Sequence, residues 1–279
     1  MNKHIAPVLD YLRNERACDL SMYDSAYLRK TLGKRMAMVG MEDILDYAGV
    51  LARHEEELPQ LLRVLVNTWT EFFRDPLAFA HLEYIILPMM LDSARSRGAA
   101  SLRAWCAGCS TGQEAWSLAM LLEDVIAYRT PAISYQLFAT DNAEHVLSQA
   151  RTAQYDMSTA NEMRLRYLEK YTERNGHMLR IHAPLRSRVT FECHDLLDPR
   201  SQCPPSCVYG DFDLVLCCNV LMYYRDDIRD FMLGKLSRCV SPDGYLVVGA
   251  AEREIVLASG LFTTVCPSVP IFQTNHGRI

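Results

Sequence analysis

From residue 102 onward, short apolar strands alternate with helices, and this alternation limits the fold more than any other feature of the 279-residue chain. Strands are predicted at 102–106, 135–140, 189–193, 212–217 and 245–249. Such short apolar strands, separated by helices, are typical of a doubly wound, mostly parallel sheet. We therefore predict an α/β domain over residues 102–279.

The part of the chain before this domain has a different pattern. Residues 1–91 carry apolar side chains at three- and four-residue steps, which predicts an all-helical N-terminal domain. The segment 92–101 (DSARSRGAAS) is small, polar and non-periodic, and it is predicted to be a linker. A polar, charged stretch at about 155–188 interrupts the strand–helix alternation and predicts a small inserted subdomain.

Composition narrows the class of protein. Hydrophobic residues make up 49% of the chain, and the net charge of −5 argues against a nucleic-acid partner, which usually requires a basic footprint. The N-terminus does not resemble a signal peptide, and no run of 18 apolar residues occurs, so we expect a cytoplasmic protein without membrane insertion. The ten cysteines are expected to be reduced. Because Cys106 and Cys109 lack a second pair at similar spacing, we expect no metal site.

One segment, WCAGCSTGQE at 105–114, follows the first predicted strand and opens a helix. Gly108 and Gly112 permit a tight turn and a close approach of the backbone to a ligand, as in nucleotide-binding folds. The segment matches neither the dinucleotide fingerprint nor the phosphate-binding loop. Taken alone, it is equally consistent with a plain turn between a strand and a helix.

Polar side chains also end three other predicted strands. Asp141 ends the second strand, Asp195 and Leu196 follow the third, and Asn219 follows the fourth. Ligands of open α/β sheets bind beyond the carboxyl ends of the strands. Asp141 is suited to accept hydrogen bonds from both ribose hydroxyls of an adenosine, to cap the next helix, or to do both. Asp195 is suited to accept from an adenine amino group, with Leu196 against the ring.

These motifs together resemble the CheR family of chemotaxis receptor glutamate O-methyltransferases. The resemblance extends over nearly the whole chain. It rests on TEFFRDP at 70–76, AGCSTG at 107–112, Glu114 with SLAM at 117–120, ATD at 139–141 and NVLMY at 219–223. It implies a Rossmann-like class I methyltransferase domain that binds S-adenosylmethionine, with an N-terminal all-α domain and a β-subdomain inserted at about 155–188.

The resemblance also implies a role for individual residues. Arg74 and Tyr223 are implied at the reaction centre, with Tyr223 facing the transferred methyl group. Residues implied in cofactor binding are Thr70, Arg74, Gly108, Glu114, Asp141, Asp195, Leu196, Asn219 and Val220.

The chain departs from the family pattern at three places. Cys218 stands where the family has an arginine, Thr68 stands where it has an asparagine, with Asn67 one step out of register, and QEAW at 113–116 replaces the family's EEPY. These changes remove one cation near the cofactor. They affect the affinity for the cofactor and the reaction rate more than the fold. The departures leave open a non-catalytic S-adenosylmethionine sensor or scaffold in a signalling array.

The implied activity is the methylation of glutamate side chains, which gives methyl esters and S-adenosylhomocysteine. The implied partner is the cytoplasmic helical region of methyl-accepting chemotaxis receptors, and we expect a monomer. The residues Arg29, Lys30, Lys34 and Arg35 form a basic cluster suited to an acidic receptor helix, although an ordinary solvated face is the alternative. The net charge and the FFRD motif disfavour a methyltransferase of RNA or small molecules.

Overall fold

The chain folds into two compact units. A computed structural model describes residues 5–65, 69–130, 132–207 and 210–275. The first unit consists of Met1–Asn67 together with Met222–Arg229, and the second consists of Thr68–Leu221 together with Asp230–Ile279.

Four complete helices lie in the described part of the first unit. Two of them begin after an aspartate whose carboxylate accepts backbone N–H groups of the first turn: Asp24 before α2 and Asp43 before α3. Their apolar faces meet in a core of their own, in which Leu12, Leu32 and Leu51 are fully buried. The helices are α1 (Ala6–Arg16), α2 (Ser25–Met38), α3 (Ile44–Arg53) and α4 (Glu57–Leu65).

A buried ion pair joins α2 to the start of α4. The guanidinium of Arg35 donates two hydrogen bonds to the Glu57 carboxylate, Nε to Oε1 at 2.7 Å and Nη2 to Oε2 at 2.6 Å. The hydroxyl of Tyr47 donates to Glu57 Oε1 at 2.8 Å. These hydrogen bonds hold the pKa of Glu57 below its usual range. Arg35 therefore serves the core of the first unit and does not belong to an open basic surface.

Near its beginning, the second unit contains one continuous helical stretch, and here the predicted domain boundary is wrong. Helix α5 (Pro76–His81), a π-helical turn (Leu82–Ile86) and α6 (Leu87–Ser96) follow one another without a break. Their buried side chains belong to the core of the second unit, although residues 76–91 were assigned to the N-terminal domain. Half of the predicted linker 92–101 is helical, because Leu91 and Ala94 are buried in that core.

This helical stretch also qualifies the expectation about membranes. The 21 residues Pro76–Ser96 are long and apolar enough to cross a membrane by length and composition. In the structure, 56% of the apolar window is buried within the protein. A buried core helix meets the same criterion, and we interpret the stretch in that way.

A seven-stranded sheet forms the centre of the second unit. Its spatial order is β6-β2-β1-β7-β8-β10-β9, in which the first five strands are parallel and the last two pair antiparallel. The strands are β1 (Ser101–Ala107), β2 (Ser134–Asp141), β6 (Val189–Cys193), β7 (Phe212–Cys217), β8 (Val240–Val248), β9 (Phe262–Thr264) and β10 (Ile271–Thr274). The interleaved helices are α7 (Gln113–Arg129), α8 (Glu144–Thr152), α11 (Asp226–Cys239) and α12 (Arg253–Ala258).

The predicted insert contains a second, three-stranded sheet of order β3-β5-β4. Its elements are β3 (Gln154–Asp156), α9 (Leu165–Tyr171), β4 (Thr172–Asn175), β5 (Met178–Ile181) and α10 (Ala183–Arg186). One side chain of β3 ties this sheet to the main domain, since the Tyr155 hydroxyl donates to the Thr111 carbonyl at 2.7 Å and accepts from Trp116 Nε1 at 2.8 Å. The predicted fold class is confirmed: a mostly parallel α/β domain, an N-terminal helical domain and a small β-insert.

The Arg35–Glu57 pair makes a stability prediction. Replacing Arg35 with alanine leaves a buried carboxylate without its cation, so α3 and α4 should lose about 3 kcal/mol of protection against opening. Hydrogen–deuterium exchange of the amides of residues 44–65 measures this loss. Arg13→Ala is the matched control, because its ion pair with Asp19 is about half exposed on both sides and should contribute less than about 1 kcal/mol. Equal protection in the two variants would contradict the assignment.

Candidate active site

Five strand ends meet at one edge of the sheet. Gly108 follows β1, Asp141 ends β2, Asp195 follows β6, Asn219 follows β7 and Gly249 follows β8. These strands are parallel and adjacent, so their carboxyl ends lie on the same side. The chain reverses its direction of progress through the sheet between β1 and β7, and a crevice at such a switch point is where open α/β folds bind ligands.

The loop between β1 and α7 is fixed to the end of β2. The backbone N–H of Gly108 donates to the Thr140 carbonyl at 2.8 Å, and the N–H of Ser110 donates to Asp141 Oδ2 at 2.9 Å. Asp141 Oδ1 accepts from the N–H of Ala143 at 3.1 Å, just before α8. Burial raises the pKa of Asp141, and these N–H groups oppose the shift. Asp141 thus supports both the loop and the next helix.

Glycine is required at position 108, because a larger side chain there would clash with Val220. Gly108 has φ of 81°, and a Cβ there would lie 2.5 Å from Val220 Cγ2. Asn219, which precedes Val220, is also left-handed with φ of 59°. The structure therefore brings together three residues that the sequence analysis assigned to one site from segments more than 100 residues apart.

Sequence reasoning missed the residue that holds Asn219 in this strained conformation. Glu252 is fully buried, and its Oε2 accepts the N–H of Asn219 at 2.7 Å and that of Gly249 at 2.8 Å. The carboxylate thus joins the ends of β7 and β8. The only sequence signal was a glutamate just beyond the apolar strand β8, which periodicity alone does not distinguish from a surface residue.

Glu114, in the first turn of α7, carries a strongly perturbed carboxyl group. Its Oε1 is buried and has no hydrogen-bond partner within the described part of the chain. Burial raises the pKa of Glu114 to about 7, and the nearby Glu252 adds to the rise. The thiols of Cys218 and Cys106 and the charge of Arg74 oppose it. A shielded carboxyl group of this kind is suited to bind a cation.

The segment that carries Thr70 and Arg74 is held against α7. The N–H of Phe73 donates to Ser117 Oγ at 2.9 Å, while Phe73 adopts a left-handed φ of 52°. Arg74 lies with its guanidinium 4.4 Å from the centre of the Trp69 ring and donates to the Trp69 carbonyl at 3.2 Å. Arg74 is close enough to Glu114 to lower the pKa of that carboxyl group. Thr70 is partly buried in the same segment.

Asp195 and Leu196 lie on the loop after β6. Leu196 is buried, whereas Asp195 is exposed and its Oδ1 accepts the N–H of Leu197 at 2.8 Å. The loop begins at His194, whose N–H donates to the Asp141 carbonyl at 3.0 Å. This hydrogen bond fixes the start of the loop beside the end of β2.

Tyr223 belongs to the first compact unit. Its ring centre lies 4.6 Å from that of Tyr27, and its carbonyl accepts the N–H of Asp24 at 2.8 Å. Along the chain it follows Val220 by three residues. Asn67 and Thr68, which depart from the family pattern, lie outside the described residues.

The cysteines show no sign of a metal centre. All ten are free thiols. Across the described ranges, no group of three or more His, Cys, Asp or Glu side chains is arranged to hold a metal ion. Burial raises the pKa of Cys106 and Cys218 well above the usual value, so both remain protonated and are able to donate to Glu114.

Comparison with known proteins agrees with this architecture. Residues 68–265 match the family described as the CheR methyltransferase SAM-binding domain, and residues 3–66 match the CheR methyltransferase all-alpha domain. The fold and the matched domain define a methyltransferase whose cofactor is S-adenosylmethionine. Within that class, the chain belongs to the CheR family.

Several relatives support the assignment. A chemotaxis protein methyltransferase of Pseudomonas aeruginosa is 30% identical over 79% of this chain and 79% of its own length. The chemotaxis protein methyltransferase of Escherichia coli is 28% identical over 82% of this chain and 76% of its own. An uncharacterised 104.1 kDa protein of Rhodobacter capsulatus is 31% identical over 82% of this chain, which spans only 23% of that relative.

The raised pKa of Glu114 predicts pH-dependent cofactor binding. A cationic ligand binds the ionised carboxylate, and the free protein is largely protonated at Glu114 below its pKa of about 7. The affinity for S-adenosylmethionine should therefore rise about tenfold from pH 6 to pH 8. Below pH 7, binding of the cofactor should release a proton from Glu114. Isothermal titration in buffers of different ionisation enthalpy measures both effects. Glu114→Gln should flatten the dependence, and an unchanged slope in that variant would assign the proton elsewhere.

Proposed function

We propose that this protein methylates glutamate side chains of chemotaxis receptors in the cytoplasm, with S-adenosylmethionine as the methyl donor, and that it acts as a monomer. The observation that carries the proposal is the match of both domains, the helical one and the cofactor-binding one, to a single methyltransferase family. The names of the bacterial relatives support a role in chemotaxis.

We assign the cofactor to the crevice at the carboxyl edge of the sheet. Glu114 would bind the ammonium group of its methionine part, since the buried carboxyl group needs a cation. Gly108 and Val220 would form the floor of the crevice, and Asn219 would add polar contacts. Asp141 would accept from the ribose hydroxyls. Thr70 would line the entrance beside Arg74.

The reaction needs alignment more than acid–base chemistry. A glutamate side chain has a reference pKa of about 4.3, so it is already ionised at neutral pH. One carboxylate oxygen forms a bond to the methyl carbon while the carbon–sulfur bond breaks, and the electron pair stays on sulfur. No proton is transferred. The protein therefore has to desolvate the acceptor carboxylate and hold it in line with the methyl group.

Arg74 and Tyr223 are the residues that we assign to this alignment. The planar guanidinium of Arg74 is suited to a bidentate hydrogen bond with the acceptor carboxylate. Tyr223 lies three residues after Val220 along the chain, and its hydroxyl would orient the acceptor or the methyl group. Both assignments follow from the family resemblance.

An assay with methyl-labelled cofactor and receptor-bearing membranes tests the proposal. We expect the receptor to become labelled. Mild base should release this label, because a glutamate methyl ester is hydrolysed by base. Tyr223→Phe should lower the rate about tenfold, the factor for one lost hydrogen bond, and Arg74→Ala should lower it about a hundredfold.

Two exposed residues provide matched controls for this assay. Tyr128→Phe removes a hydroxyl from a side chain that is 88% exposed, and Arg95→Ala removes a guanidinium from an exposed ion pair. Both should react at the wild-type rate. Wild-type rates in the Tyr223 and Arg74 variants would refute those two assignments.

For receptor docking, the basic surface of α2 is smaller than the sequence indicated. Arg35 is engaged with Glu57, whereas Arg29, Lys30 and Lys34 lie exposed on the same helix. An acidic receptor helix would complement these three charges and be steered towards them. The helical domain would thus guide the substrate.

Charge reversal tests this docking surface. Lys30→Glu with Lys34→Glu should raise the KM for receptors several-fold at low salt, leave the KM for the cofactor unchanged, and lose its effect as salt screens the charges. The control reverses two exposed arginines of the second unit, Arg95→Glu with Arg174→Glu. Equal KM values for receptors in both double variants would indicate an ordinary solvated surface.

A non-catalytic sensor or scaffold is the second candidate. The observation that favours it is Cys218, which supplies a neutral thiol next to Glu114 where the family has an arginine. Cofactor binding without transfer of label to any of several receptors would identify this function.

A further inference from the structure

A buried lysine on α11 holds the loop that follows β6. The Lys235 side chain is only 1% exposed. Its Nζ donates to the carbonyl of Asp198 at 2.9 Å, of Leu196 at 3.0 Å and of Asp195 at 3.4 Å. An ammonium group has three N–H donors, and all three are used on backbone carbonyls of one short loop. No carboxylate hydrogen-bonds to the ammonium group among these contacts.

The far end of the loop is fastened to the same helix. Gln202 Nε2 donates to the backbone carbonyl of Lys235 at 3.0 Å, and Cys239 Sγ donates to the Gln202 carbonyl at 3.2 Å. The near end is fixed by the hydrogen bond from His194 to Asp141. Between these points, the Lys235 ammonium group supports the backbone of residues 195–198 from the helix side.

Burying a lysine is costly unless its charge and donors are satisfied, and burial lowers the pKa of Lys235 accordingly. A core that needed only volume at this position would be served by leucine or methionine. With such a residue, the Leu196 carbonyl would lose the donor that Lys235 supplies, and the carbonyls of Asp195 and Asp198 would keep only a backbone N–H, from Asp198 and Ser201 respectively. The position of Lys235 therefore serves the conformation of the loop.

We propose that Lys235 is a positioning residue that sets the preference of the cofactor site for adenine, by holding the backbone of the Asp195–Leu196 loop in the conformation that contacts the base. This inference rests on the proposed cofactor crevice and on the contact with adenine that the family resemblance implies for Asp195 and Leu196. Lys235 itself is buried beneath the loop and contacts the cofactor only through it. Fixing the backbone fixes the direction in which the exposed Asp195 carboxylate accepts a hydrogen bond.

Discrimination between two neutral ligands tests the proposal. S-adenosylhomocysteine carries an amino group on its base, and S-inosylhomocysteine carries a carbonyl oxygen that an accepting Asp195 disfavours. We expect the wild-type protein to bind the adenosyl form at least about tenfold more tightly in isothermal titration, the factor for one lost hydrogen bond. In Lys235→Met the ratio of dissociation constants should fall to about two or less, mainly through weaker binding of the adenosyl form.

Controls separate positioning from a general loss of structure. Lys170→Met removes a lysine that is 55% exposed and should keep the wild-type ratio. Lys235→Gln keeps two N–H donors, is expected to give an intermediate ratio, and decides the question if the methionine variant does not fold. A merely structural role would weaken both ligands equally and leave the ratio unchanged, which would overturn the proposal. A wild-type protein that does not discriminate would overturn it as well.

Asp195→Ala distinguishes this inference from the function on which it rests. If discrimination is lost in both Asp195→Ala and Lys235→Met, both assignments are supported. If Asp195→Ala retains discrimination while Lys235→Met loses it, the assigned Asp195 contact is wrong. In that case backbone groups of the loop contact the base, and Lys235 still positions this backbone. If only Asp195→Ala loses discrimination, Asp195 contacts adenine without the help of Lys235.

Discussion

The site depends on the parallel pairing of β1 between β2 and β7. Cys106 pairs with Ala139 on one side and with Leu216 on the other, so three strands end at nearly the same level. Each strand then delivers a loop to the same edge. Because parallel strands require long crossovers, the residues that meet here come from segments separated by whole helices. A shift of the pairing by one residue would turn the strand-end side chains away from one another.

Negative charge is the second feature of this edge. Glu252 is fully buried, and its charge contributes to the raised pKa of the buried Glu114 carboxyl group. The nearby cysteines remain protonated, so Cys218 offers Glu114 a neutral donor where an arginine would offer a charge. This balance favours a cationic ligand, and we expect the ionisation of Glu114 to be part of ligand binding.

Two secondary supports stabilise the loops of the site. Tyr155 of the small sheet accepts from Trp116 and donates to the Thr111 carbonyl, which fixes the loop between β1 and α7. Lys235 and Gln202 fix the loop after β6 to α11. In both cases a buried polar group donates hydrogen bonds to backbone carbonyls of the loop. The loops are therefore held by the layer behind them.

The sequence by itself determined the alternation of the five parallel strands with helices, the fold class and the strand-end motifs, because local periodicity and turn chemistry are properties of short segments. It did not predict the short antiparallel strands β9 and β10. It misassigned residues 76–91 and half of 92–101, since a helical pattern does not reveal which core buries it. The structural roles of Glu252 and Lys235 were missed for a similar reason. The sequence does not show which backbone groups a charged side chain will hydrogen-bond. Only the tertiary structure decided those partners, because they come from strands and loops far away along the chain.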